Sequence, residues 1–163
     1  MACSRFAVGR WGRFWRLPSQ ERRLLTTALV LLPLTRLALY VVGFRRWQSF
    51  LLRLLPQPHP TAPADGDVKS PLQTCGEMTA RMVQAAAREG LGQPNCLSRS
   101  LVLWWLLARQ GCPAELRIGT RKKDAALEAH AWVELAGRVL GEEDDPHTRF
   151  ADFEQPVAAP PRS

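Results

Sequence analysis

The apolar and polar positions of this chain divide it into stretches of different period. From Leu24 to Phe44 apolar residues run almost continuously, broken by Pro33 and Arg36, which predicts two helices over roughly 20–32 and 34–43. A further short helix, "RRWQSFLLRLL", runs to Leu55. In "TCGE", Thr74 is placed to cap a helix with Glu77 three residues on; that helix continues through "MTARMVQAAARE" and stops at Gly90. Asn95 is the cap expected for the next helix, 96–110. There Leu97, Leu101, Trp104, Trp105 and Ala108 recur at spacings of three or four and predict one broad buried face. The period then changes to two. "AELRIGTR" alternates as a strand, a charged turn follows at 121–124, "AHAWVEL" is a second strand, and Ala136-Gly137 turns tightly into a third, "RVLGE". The tail, 143–163, reads as irregular. Helices followed by an antiparallel hairpin sheet give an α+β fold.

Charge sharpens this division. The formal net charge is +7, yet residues 1–55 hold ten arginines, no lysine and one acid, Glu21. The segment 56–71 carries five prolines in sixteen residues and reads as a linker, with His59 solvated inside it. Three regions are therefore expected: a basic, apolar helical appendage at 1–55, the linker at 56–71, and the main domain at 72–163. An arginine-rich apolar segment suits an anionic membrane surface or an acidic partner, and no nucleic-acid motif accompanies it. The appendage is too interrupted to span a bilayer, because a mid-span arginine costs about 2.5–3.5 kcal/mol on insertion scales. It also lacks the small-residue cleavage site of a signal peptide. Docking on the main domain, with a peripheral membrane contact, is the expectation. Four scattered cysteines with no CxxC pair and no clustered histidines exclude a familiar metal site and fit a reducing cytoplasm.

The chemistry concentrates in two places. Cys96 falls at the first position of its helix, where unpaired amides carry partial positive charge and favour thiolate over thiol. In "AHAWVEL", His130, Trp132 and Glu134 share one face of the strand, so the imidazole has a fixed direction and Trp132 can wall a cleft beside it. A histidine facing the helix start forms a thiolate–imidazolium pair and protonates a leaving amine. A third group must hold its ring. The strand returning from Ala136-Gly137 brings a carboxylate near position 142, with Glu142 the first candidate and Asp144 the second. Singly, a cysteine or a strand histidine is most often structural; capped thiol, strand histidine and hairpin acid in this order are a sharper signal. Cys75, Cys112 and Cys3 read as packing or frayed thiols, and His147 as solvated.

The stretch "CLSRSLVLWWLLARQGCPAELRIGTRK…EAHAWVELAGRVLGE" resembles the transglutaminase-like leader peptidases of lasso-peptide biosynthesis, which include the microcin-processing maturation proteases. The resemblance covers residues 74–145 closely and extends to the preceding arginine–leucine helices of stand-alone members. It implies a transglutaminase-like, papain-like core with Cys96 as nucleophile, His130 as base and an acid at position 142. That acid is often aspartate in the family and is Glu142 here, which leaves Asp144 and Asp145 as substitutes. It further implies cleavage of a ribosomally made precursor, no cofactor, and three partners: the precursor leader, a separate leader-recognition protein and an ATP-dependent cyclase. Two other functions compete. One is transglutaminase-type acyl transfer to an amine; the other is a membrane-peripheral scaffold with an inactive triad.

Overall fold

The computed structural model describes residues 17–55, 71–90, 94–123, 126–142 and 144–152. The arginine–aromatic start, Cys3, His59 and the end of the tail lie outside them. The chain forms helices α1 (Ser19–Val41), α2 (Phe44–Arg53), α3 (Pro71–Glu89) and α4 (Cys96–Arg109). Strands β1 (Ala114–Lys123), β2 (Ala126–Leu135) and β3 (Arg138–Leu140) follow, then a 3₁₀ turn (Pro146–Thr148) and β4 (Ala151–Asp152). The four strands form an antiparallel sheet in the order β3-β2-β1-β4. The fold is α+β, helices packed on a small sheet, as the change of period predicts.

Several boundaries differ from those expected. The two helices predicted around Pro33 are one continuous helix. Proline removes one helical hydrogen bond, but Leu24, Ala28, Leu32 and Ala38 of α1 are buried on either side of it, and that burial holds both halves on one axis. α3 begins at Pro71 rather than after Thr74. Proline suits the first turn of a helix, where its missing N–H has no acceptor to lose. Thr74 and Cys75 therefore lie inside the helix. The tail is not wholly irregular: the 3₁₀ turn and β4 bring residues 146–152 back to the sheet. Their short, polar sequence carries no period to announce it.

α4 is buried around most of its circumference, since Val102, Leu103, Leu106 and Leu107 join Leu101, Trp104 and Trp105 inside. The expectation of a single buried face fails because α4 lies between the other helices on one side and the sheet on the other. One hydrophobic cluster runs from Leu24, Ala28 and Leu51 through Val83 and Trp105 to Leu116, Val133 and Leu140. Residues from the arginine-rich region and from the main domain thus share a core. Two buried polar contacts fix its register: Trp47 Nε1 donates to Thr35 Oγ1 at 3.3 Å, and Trp105 Nε1 donates to the Leu51 carbonyl at 3.0 Å. The second ties α2 directly to the helix that carries Cys96.

Candidate active site

The amino end of α4 is capped as its sequence suggests. Asn95 is extended and its side chain accepts from the Ser98 amide at 2.8 Å. With Ser98 satisfied, helical geometry leaves the amides of Cys96 and Leu97 without acceptors in the helix. Cys96 is the first residue of α4 and partly exposed. One turn on, the Ser100 hydroxyl donates to the Ala131 carbonyl at 2.8 Å, which pins this end of α4 to β2 beside His130.

His130 is held from several directions. β1 and β2 pair so that Gly119 faces His130 and Arg117 faces Trp132. The imidazole lies nearly parallel to the Trp132 ring at 6.2 Å and to Phe150 at 5.2 Å. Gly119 is needed here, because a Cβ would come within 2.8 Å of the Trp132 ring. Trp132 is itself fixed by Glu134, whose Oε1 accepts from Trp132 Nε1 at 2.7 Å. Glu134 also meets His147 Nε2 at 2.8 Å and Arg117 Nε at 3.5 Å. His147, expected from its acidic loop to be solvated, is instead paired while still 41% exposed: the 3₁₀ turn carries it back over β2, edge-on to Trp132.

Among the three carboxylates offered by the sequence, Glu142 is the one beside the histidine. Its Oε2 lies 3.4 Å from His130 Nε2. Its other oxygen is bound by Arg99, from the first turn of α4. β3 stops at Leu140, so strand alternation does not deliver Glu142; Gly141, at φ +74°, turns the chain, and Gln84 donates to its carbonyl. Asp144 is 73% exposed and pairs with Arg149, while Asp145 caps the 3₁₀ turn by accepting from the His147 amide. His130 and Glu142 line a polar cleft of about 730 Å³, together with Gln84, Pro94, Arg99 and Phe150. Cys96 lies in sequence between Pro94 and Arg99, both on the cleft wall. Arg99 and Phe150 were not singled out from sequence. Phe150 sits in an aperiodic tail, and Arg99 looks like one more helix-surface cation.

The other two described thiols meet at the opposite end of α4. Cys112 Sγ donates to Cys75 Sγ at 3.4 Å, and Cys75 donates to Gln110 Oε1 at 3.2 Å. The contact with Cys112 holds the Cys75 thiol down to about 7, with help from Thr79 and against the effect of burial. The same contact, with burial, pushes Cys112 up. Fourteen residues of helix separate the two ends by about 20 Å, too far for Cys75 to share His130.

The family model described as transglutaminase-like superfamily matches residues 28–154. The chain belongs to the transglutaminase-like superfamily. The match starts within α1 and ends just past β4, so it takes in the N-terminal helices as well as the sheet. Proteins of this superfamily are usually catalytic, as cysteine proteases or acyl transferases. No curated protein and no solved structure matches the chain.

Proposed function

We propose that this transglutaminase-like protein is a cysteine endopeptidase that removes the leader from a ribosomally made lasso-peptide precursor. The observation that carries the catalytic part is Glu142, which faces His130 with one oxygen and Arg99 of the thiol-bearing helix with the other. That carboxylate links the strand histidine to the start of the cysteine helix across one cleft. With Nε2 facing Glu142, Nδ1 is the nitrogen left to meet a thiol. The lasso-peptide assignment rests on the "CLSRSL", "CPAELRIG" and "HAWVELAGRVL" motifs.

In this reading Cys96 attacks the scissile carbonyl as a thiolate, and the new oxyanion takes hydrogen bonds from amides at the start of α4. Collapse breaks the C–N bond, and the His130 imidazolium gives its proton to the departing amine, which is the core peptide's new N-terminus. Water then adds to the thioester, His130 takes its proton, and the leader leaves as a carboxylic acid while the thiolate–imidazolium pair is restored. Glu142 keeps the ring in the orientation both steps need. A separate recognition protein presents the leader, and an ATP-dependent cyclase uses the freed amine.

Mass spectrometry of a lasso-peptide precursor incubated with this protein, with and without a recognition protein, tests the proposal. The expected products are intact leader and core, differing from the precursor by one water. Products carrying an added amine would instead assign acyl transfer. No reaction in the presence of recognition protein would leave the scaffold reading.

A further inference from the structure

α1 is apolar on two opposite faces, and only one of them is used by the fold. Leu24, Ala28, Thr35 and Ala38 are buried. Across the helix, Val30, Leu34, Leu37 and Val41 recur at spacings of four, three and four and are 46–69% exposed. They form a stripe about 16 Å long. Tyr40 beside it is 90% exposed, and Phe50 of α2 extends the apolar surface. Nine of the ten exposed large hydrophobic residues among those described lie on α1, α2 and their junctions, so the exposure is concentrated in one region. Soluble monomers rarely tolerate such a patch without a use for it.

The charge around the patch selects its occupant. Arg36, Arg45, Arg46 and Arg53 are exposed on the same two helices, and no acidic residue occurs between Glu21 and Asp65. A second copy of this chain would set one all-arginine surface against another. By length and composition alone α1 suffices for a bilayer span, Pro33 and Arg36 notwithstanding. Spanning would, however, pull Leu24, Ala28 and Leu32 out of the core they share with α3 and α4. Apolar side chains interleaved with arginine and an exposed tyrosine are the composition of a helix lying in a lipid headgroup layer.

We infer that the exposed face of α1 and α2 seats the protein on an anionic bilayer surface, with the helices in the plane of the interface and the α1 core face still packed on the domain. Arginines take the lipid phosphates, and the stripe from Val30 to Val41 enters the headgroup–acyl boundary. The inference is independent of the peptidase reading, since it concerns binding alone.

Flotation of the full chain with vesicles of phosphatidylcholine, alone or mixed with phosphatidylglycerol, tests it. Binding to the mixed vesicles should be at least about tenfold stronger and should weaken at high salt. The double variant Leu37→Glu/Val41→Glu changes only exposed positions; it should keep the thermal unfolding of the parent and lose about tenfold or more in binding. Four results would overturn the inference: no flotation, equal and salt-insensitive binding to both vesicles, unchanged binding by the double variant, or resistance to alkaline carbonate, which marks a span. A concentration-dependent dimer in light scattering that the double variant abolishes would reassign the face to a second copy.

Discussion

The two ends of α4 each hold thiol chemistry, in opposite circumstances. At the carboxyl end Cys112 donates a hydrogen bond to Cys75, and the Cys75 thiol is pushed down to about 7. Its partners are a second thiol and an amide, and Cys112 is 2% exposed. At the amino end Cys96 is partly exposed at a capped helix start, between Pro94 and Arg99, which wall a cleft that holds a histidine and a carboxylate. In the proposed mechanism, acidity alone therefore does not mark the nucleophile. A hydrogen bond from a neighbouring thiol stabilises a thiolate without supplying a proton for a leaving group, whereas an imidazole does both. What distinguishes the amino end is a histidine and a carboxylate lining an open cleft.

The largest effect expected from this contrast is on turnover. Cys96→Ala should lower leader cleavage by about 10⁴-fold or more, and His130→Ala by a similar amount. The double variant should lose little beyond either single one, because the two groups act as a unit. Clearly additive losses in single-turnover cleavage would separate them. Cys75→Ala, at the other end of the helix, should cleave at close to the parent rate; a comparable collapse in a folded Cys75 variant would move the nucleophile to that end.

A smaller loss, about 10- to 100-fold in kcat, is expected for Glu142→Gln, which keeps the size of the side chain but weakens its hold on the His130 ring and on Arg99. Asp144→Asn should change kcat less than about twofold, since Asp144 is exposed and pairs with Arg149 rather than with His130. Steady-state kinetics of the two variants side by side decides the point. The reverse ranking would give the orienting role to Asp144.

The thiol pair should speak through stability rather than rate. In the unfolded chain both thiols titrate near 9.0. Folded Cys75, depressed to about 7, contributes stability that is fully present above 9.0 and is lost as pH falls through about 7. Cys112 acts in the other direction: it stays protonated in the fold, so ionisation of the unfolded chain erodes stability above 9.0. Their joint contribution should peak near pH 9, and Cys75→Ala should flatten that peak in denaturant titrations. A parent profile that falls steadily from pH 7 to 9 would show that the Cys112 hydrogen bond does not favour the Cys75 thiolate in the fold.

The smallest effect concerns Cys112→Ala, which deletes a buried sulfur from the core just before β1 and should cost about 1 kcal/mol with cleavage unchanged. Urea unfolding and the cleavage assay together check it.

Local chemistry made much of this molecule readable. The Asn95 cap, the two strands around His130 and the Ala136-Gly137 turn are short-range features, and both turn residues take the positive φ such a hairpin requires. Likewise His130, Trp132 and Glu134 share a face because a strand alternates, and the ring stack and the Trp132–Glu134 hydrogen bond follow. The acid beside His130 was readable only to within three residues. Strand parity pointed to position 142, but β3 ends first, and the left-handed turn at Gly141 sets where Glu142 goes. Arg99 on Glu142, Phe150 on His130 and His147 on Glu134 could not be read at all, because each joins residues distant in the chain through packing.

By itself the sequence determined the element types, the capped thiol, the direction of the histidine and the concentration of arginine in the first 55 residues, because caps, periods and composition act over a few neighbouring residues. Tertiary structure decided that α1 runs through Pro33, that α4 is buried almost all round and which acid meets the histidine. It also decided which face of α1 is left for something outside the fold. These outcomes depend on which surfaces compete for the same core, and only the assembled elements settle that competition.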